Sequence, residues 1–451
     1  MRVVIVGAGE VGWYLAQRLG QEDHDIVVIE LDPGRAAAIG EQLDVQVVQG
    51  SGARPSVLHE AGIHRADMLA AVTEVDEVNL IASLLAREHG VSQSIVRLQT
   101  EELRGTAGDN LLDSVGASLI IDPDADTADE ILELVHVTGA DEVYAMGGGD
   151  LLVIGAELTD DCSIVGMSLA EVSAIHEPNR DFVFGAITRN GETIIPGGNQ
   201  RLAAGDHVRV LTTKKRRHQV LEMIGVPGKL ARRVMILGGG AIGFRVAQKL
   251  QAEGTEVVLV ERDHERATKI AEQLHRCVVI EGEITDTDLL AEESIGRMDA
   301  VIAATGEDSS NVLACAFAAA EGAAYTVAVL HSLSLLPLVR RFGINAALSP
   351  RTASANAVLR HVRGGTAAVA TFLESDAEVD ELEIESGSRA DGASVADLEL
   401  PRDFIIGAVN RPDEPSEIVR GRTVLHAGDF IVVFARPGAL IEANDFFAAS
   451  S

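Results

Sequence analysis

The chain has 451 residues and a formal net charge of −32, which excludes a single small domain and makes nucleic acid and bare anionic lipid poor partners. Apolar residues make up 47% but aromatics only 3%, so its cores must come from Val, Ile, Leu and Ala, a mix suited to buried parallel strands under closely packed helices. Three widely spaced cysteines, Cys162, Cys277 and Cys315, exclude a disulfide framework and a thiolate zinc site and suit a reducing cytoplasm.

Residues 3–6, Val-Val-Ile-Val, are a continuous apolar run, the pattern of a strand buried on both faces. They lead straight into a glycine turn, a start unlike a secretion signal. Gly7, Gly9 and Gly12 have the GxGxxG spacing. Gly7 permits the tight turn, Gly9 lets backbone approach a pyrophosphate, and Gly12 lets the next helix, about 11–19, pack on the strand. That helix aims its free N–H groups at phosphate. The following strand, 25–29, ends at Glu30, where a carboxylate accepts hydrogen bonds from an adenosine ribose and repels a 2′-phosphate; NAD, ATP and ADP are favoured over NADP. The run 70–73 reads as the fourth strand, ending beside the switch point of a doubly wound sheet. Arg97, in the run 95–98, is a cation able to meet phosphate charge. After Pro123, a helix-start signal, Ala128, Ile131, Leu132 and Val135 form one helical stripe.

Beyond this stripe the pattern changes. Stretches 182–188 and 207–211 read as short strands, and Asn190-Gly191 and Ala204-Gly205-Asp206 as turns, so a small α+β domain is expected. His176, His207 and His426 have no ligand-spaced companions and are expected at ordinary surface or turn positions. The basic run Lys214-Lys215-Arg216-Arg217 is expected as a solvated strand end or linker.

From Val234 the whole pattern returns. Gly238, Gly240 and Gly243 repeat the glycine spacing, and Glu261 stands where Glu30 stood, 231 positions on. The run 300–305 repeats the fourth strand, followed by Asn311 in the place of Asn79. Pro350 opens a second stripe of Ala355, Val358, Leu359 and Val362. Asp403-Phe404 and Gly428-Asp429 repeat Asp181-Phe182 and Gly205-Asp206. Four matches in one order mean a duplicated two-part module. The expected layout is 1–136, 137–222, 231–366 and 367–451, with a Pro/Gly/Lys joint at 226–229. The fold class follows: two doubly wound parallel-sheet Rossmann-like α/β domains, each followed by a small α+β domain. The strand at 326–329 has no cation matching Arg97, so the second loop is expected to bind charged nucleotide more weakly. No acid–base pair, partnered nucleophile or metal cluster is visible in the small domains, so neither an enzyme nor a metal centre is expected.

These residues resemble the RCK (KTN) modules that regulate potassium conductance. The resemblance rests on the alternating order, the loop 7–12, Glu30, the stretch 73–79, their second copies, the Ser349-Pro350 helix and the Leu-x-Ala-Gly-Asp turns. Two such modules without a spanning segment resemble the peripheral regulatory subunits of Trk-type potassium-uptake systems. The resemblance implies a cytoplasmic, membrane-associated regulator that binds NAD(H), ATP or ADP and gates a TrkH-type channel subunit. It also implies dimerisation through the crossover helix and a tetrameric ring. Carried over by residue, Gly7, Ala8, Gly9, Glu10 and Val11 form the phosphate loop, Glu30 takes the ribose, and Thr73, Glu74 and Arg97 line the rest. The second-copy matches are Gly238, Gly239, Gly240, Ala241 and Ile242, then Glu261, Thr305 and Gly306. The family's third strand often ends in Gly-Asp; this chain has Gly50-Ser51-Gly52 and Gly282-Glu283 instead. The alternatives are a regulator of potassium efflux or cation/proton antiport, and an NAD-dependent oxidoreductase.

Overall fold

A computed structural model describes residues 1–20, 24–100, 103, 114–177, 180–226, 228, 230–362, 370–371, 377–411, 414–436 and 439–449. The chain divides into two compact units, Met1–Thr127 with Ser349–Arg363, and Ala128–Leu348 with Gly364–Ser451.

The first unit is built on strands β1 (Arg2–Val6), β2 (Asp25–Glu30), β3 (Gln46–Gln49), β4 (Met68–Ala71), β5 (Gln93–Arg97) and β6 (Leu119–Ile121). They form one parallel sheet in the order β3-β2-β1-β4-β5-β6. The order reverses between β1 and β4, and at such a switch point the strand ends part to leave a crevice. The apolar run of β1 is fully buried because helices cover both faces of a doubly wound sheet.

The helix Pro350–Val362, which comes from the second half of the sequence, belongs to this unit and packs on the helix Glu10–Gly20 and on β6. Its Ala353, Ala357 and Val358 are buried. The side chains of Ala355, Leu359 and Val362 lie outside the described residues.

The second unit repeats the parallel sheet with β12 (Arg233–Leu237), β13 (Glu256–Glu261), β14 (Cys277–Glu281), β15 (Ala300–Ala303), β16 (Thr326–Val329) and β17 (Ala346–Leu348), in the equivalent order β14-β13-β12-β15-β16-β17. The stripe Ala128, Ile131, Leu132 and Val135, from the first half, is buried in the same apolar cluster as Ile242, Val246 and Leu250. Lys249 pairs with Asp129, and His136 Nε2 lies 2.7 Å from Glu253 Oε2. The two halves therefore exchange their crossover helices within one chain.

Two antiparallel five-stranded sheets complete this unit. The first contains β7 (Glu142–Met146), β8 (Leu151–Glu157), β9 (Phe182–Arg189), β10 (Glu192–Ile194) and β11 (His207–Thr213), in the order β10-β9-β11-β8-β7. Asn190 and Gly191, with φ of 52° and 81°, make the tight β9–β10 hairpin. The second contains β18 (Ala370–Thr371), β19 (Glu378–Glu383), β20 (Phe404–Asn410), β21 (Glu417–Ile418) and β22 (Phe430–Ala435), in the order β18-β19-β22-β20-β21. Val153, Leu211, Val379 and Phe434 share one buried cluster. A Cβ on Gly185 would lie 2.3 Å from the Phe434 ring, and one on Gly407 would lie 2.6 Å from Leu211 Cδ2. The duplicated glycines are thus the places where each small sheet admits a side chain of the other.

Candidate functional site

At the end of β1, Gly7 takes φ of 104°, a left-handed conformation that turns the chain toward the helix Glu10–Gly20. A Cβ on Gly12 would sit 1.9 Å from the Gly7 carbonyl oxygen, so only glycine lets the helix meet the strand end. Gly9 is different: nothing lies within 4 Å of the place its Cβ would take. The loop therefore leaves an open cradle next to backbone N–H groups at a helix start, where phosphate binds. Ala8 and Val11 are buried behind it. The side chain of Glu10 lies outside the described residues.

Glu30, buried at the end of β2, holds this loop. Its Oε2 accepts from Ala8 N at 2.6 Å and its Oε1 from Asp32 N at 2.8 Å. A carboxylate has about four lone-pair sites, so capacity remains for ribose hydroxyls.

Across the switch point, Thr73 N donates to Asn79 Oδ1 at 3.0 Å, and Asn79 Nδ2 donates to Thr73 O and Arg97 O, both at 2.9 Å. Asp76 accepts from Gln99 N and Thr100 N. Burial alone would push its carboxyl up, but bonds from Thr100 and Gln99 and the Arg97 charge hold it below the usual range. Burial pulls the Arg97 guanidinium down, against Glu74, Asp124, Asp76 and Asp122, which favour its charge. Arg97 Nε is buried with no hydrogen-bond partner among the described residues. Glu74 is exposed at the crevice rim. An open glycine cradle and an orphaned guanidinium nitrogen fit an anionic nucleotide.

The second copy reproduces this frame. Gly238 takes φ of 109°, and a Cβ on Gly243 would meet Gly238 O at 2.0 Å. Gly240 opens the helix Ala241–Ala252 as its N-cap, with Ile242 buried and Ala241 exposed. Glu261 Oε2 accepts from Gly239 N and Oε1 from Asp263 N, both at 2.8 Å. Gly239 occupies the Ala8 position because Ile270 Cδ1 would lie 2.5 Å from a Cβ there. Thr305 and Asn311 repeat the amide link, reaching Val329 O at 2.8 Å. Gly306 has open space around it. Val329 stands where Arg97 stands, so this crevice lacks that cation.

One expectation needs correcting. His207 is neither a surface nor a turn residue; it is buried in β11, with Nε2 2.7 Å from Asp141 Oδ1. Asp141, Glu142 and His207 offer ligand atoms within 4.8 Å of one another, the spacing of a metal site. Yet Arg340 Nη2 donates to Asp141 Oδ2 at 2.6 Å, and Arg209 makes a bidentate pair with Glu142 at 2.7 and 3.0 Å. With both carboxylates already matched by guanidinium, the cluster is a buried ion-pair node. Sequence spacing had no means of finding it, since 66 residues separate Asp141 from His207. Of the basic run, Lys214, Lys215 and Arg216 are exposed just after β11, as expected, while Arg217 is half-buried at the start of the helix Arg217–Met223.

Comparison with known proteins adds a second line of observation. The TrkA-N domain model matches residues 3–123 and 234–350, and the TrkA-C domain model matches 153–225 and 380–448. The Trk system potassium uptake protein TrkA homolog of Archaeoglobus fulgidus is 34% identical, over 99% of this chain and 100% of the relative. The Trk system potassium uptake protein TrkA of Azorhizobium caulinodans is 31% identical, over 100% of this chain and 99% of the relative. Among solved structures, the GsuK channel bound to NAD superposes with a TM-score of 0.61 at 19% identity, covering 99% of this chain and 78% of that one.

Proposed function

The chain belongs to the TrkA family of Trk potassium-uptake proteins, and we propose that it is the nucleotide-binding regulatory subunit of such a system, controlling K⁺ transport through a membrane subunit of TrkH type. One observation carries this reading: two glycine loops, each with an open cradle at Gly9 or Gly240, stand beside a buried acid, Glu30 or Glu261, at a switch point.

The ligand class is NAD(H) or ATP/ADP. The loop residues Gly7, Ala8, Gly9, Glu10, Val11 and Gly12 take the phosphates, Glu30 the ribose, and Thr73, Glu74 and Arg97 the remaining contacts. Gly238, Gly239, Gly240, Ala241, Ile242, Gly243, Glu261, Thr305 and Gly306 do the same in the second copy, more weakly without a counterpart of Arg97. The NAD in the GsuK channel structure supports that ligand class. The ligand acts as an effector, with no chemical turnover: binding one arrangement of the modules better than another shifts the equilibrium between them. No helix among the described residues is long and apolar enough to cross a membrane; in this reading the protein reaches the bilayer's inner face through its partner, as a homotetramer.

The test is reconstitution of the chain with the co-purified membrane subunit in K⁺-loaded liposomes. ATP or NADH should change K⁺ flux in the presence of the chain, and Gly9→Asp should reduce the response. Flux indifferent to chain and nucleotide would contradict the proposal.

A further inference from the structure

The two loops differ on the ribose side. Glu30 is held by the backbone donors Ala8 N and Asp32 N. The residue after it is Leu31, 68% exposed. At the second loop, Arg266 Nη1 lies 3.3 Å from Glu261 Oε2. By the 231-residue offset Arg266 repeats Arg35, whose side chain makes no bond to Glu30 among the described residues, while Arg262 replaces Leu31 and Lys269 replaces Ala38. Arg266 and Lys269 line an open groove of about 440 Å³ with Gly239, Gly240, Ala241 and Phe244, and among the described residues no carboxylate contributes to its lining. At the rim, Arg262 makes long, exposed ion pairs, at 3.6 Å to Glu307 and 4.0 Å to Glu283.

An acid at the end of the second strand disfavours a 2′-phosphate by charge repulsion, and a nearby arginine accommodates one. That repulsion acts only while the acid is uncompensated. Among the described residues Glu30 has no side-chain cation as a hydrogen-bond partner, whereas the buried Glu261 is matched by the exposed Arg266. The groove then adds a second cation and a roomy space next to the glycine backbone. Resting on the nucleotide reading of this loop, we propose that the second site selects an adenine nucleotide phosphorylated on the ribose 2′-hydroxyl. Arg266 and Lys269 bind that phosphate in the groove, and Arg262 closes on it from the rim. The exclusion of NADP then holds for the first site alone, and the two halves of the chain report on different nucleotide pools.

The experiment is calorimetric titration of the full chain carrying Gly9→Asp, which silences the first loop in open space, with NADP and with NAD. Charge-assisted bonds of this kind predict that NADP binds roughly tenfold more tightly. Adding Arg266→Ala and Lys269→Ala, both exposed positions that leave the backbone bonds of Glu261 intact, should remove that advantage and leave NAD affinity little changed. Equal affinities, tighter NAD, or equal losses of both ligands in the triple variant would overturn the proposal. If neither ligand binds the Gly9→Asp chain while both bind the natural one, the second loop is no nucleotide site, and the underlying reading fails there too.

Discussion

Asn79 and Thr73 bond to each other in both directions: Thr73 N donates to Asn79 Oδ1, and Asn79 Nδ2 returns a bond to Thr73 O. The same amide reaches Arg97 O, so one buried side chain ties the end of β4 to the end of β5. Asn311 does the same for Thr305 and Val329. Each link fixes the far wall of a switch-point crevice whether or not a ligand is present. Asn79→Ala strands three backbone groups and should cost about 1–3 kcal/mol. Urea denaturation should show the loss as a lower midpoint with an unchanged slope.

Gly12 and Gly9 should respond in opposite ways. A methyl at Gly12 collides with a backbone carbonyl, so Gly12→Ala should destabilise the first unit by about 1–3 kcal/mol or more. A methyl at Gly9 meets nothing. Gly9→Ala should keep the melting temperature and weaken nucleotide binding, read by calorimetry.

The buried node predicts a pH dependence. Burial would raise the Asp141 carboxyl, but His207, Arg340 and Arg209 outweigh it and hold it below the usual range. A carboxyl depressed in the folded state contributes stability that is complete above its unfolded value, ~3.9, and lost as pH falls through the folded value. Asp141→Asn should therefore cost about 1–3 kcal/mol at pH 7. The denaturation midpoints of variant and natural chain should converge below pH 4.

Gly185 and Phe434 offer a packing test. Gly185→Ala places a methyl 2.3 Å from the ring, an overpacking that costs about 1–3 kcal/mol. Combining it with Phe434→Leu should recover part of the loss, giving a coupling energy in a double-mutant cycle. Strict additivity would mean that the two sheets do not share this contact.

Much of this architecture was legible because its determinants are local. The spacing of Gly7, Gly9 and Gly12, with Glu30 eighteen residues on, specifies a strand–turn–helix–strand unit by backbone sterics alone. Duplication made the reading firm, since Glu261 and Asn311 fall where Glu30 and Asn79 predict. The destination of the crossover helices was not legible: the stripe Ala128, Ile131, Leu132 and Val135 looks the same whichever sheet it covers. His207 was misread because its partner Asp141, and the Arg340 that bonds to the same carboxylate, are remote in sequence. Gly185 and Gly407 follow the repeated Asp181-Phe182 and Asp403-Phe404, but the side chains that demand glycine there, Phe434 and Leu211, come from the other small sheet.

The central claim is that both glycine loops bind nucleotide in the folded chain. Its most direct test is the thermal transition of the purified protein with saturating NADH, ATP or ADP, repeated on a chain carrying Gly9→Asp and Gly240→Asp. Ligands that bind only the native state raise the transition by mass action, by about 2.7 kcal/mol at a hundred times Kd. The account predicts a clear rise in the natural chain, a partial rise in each single variant and none in the double variant. No rise with any of the three, or a rise that survives both substitutions, would contradict it.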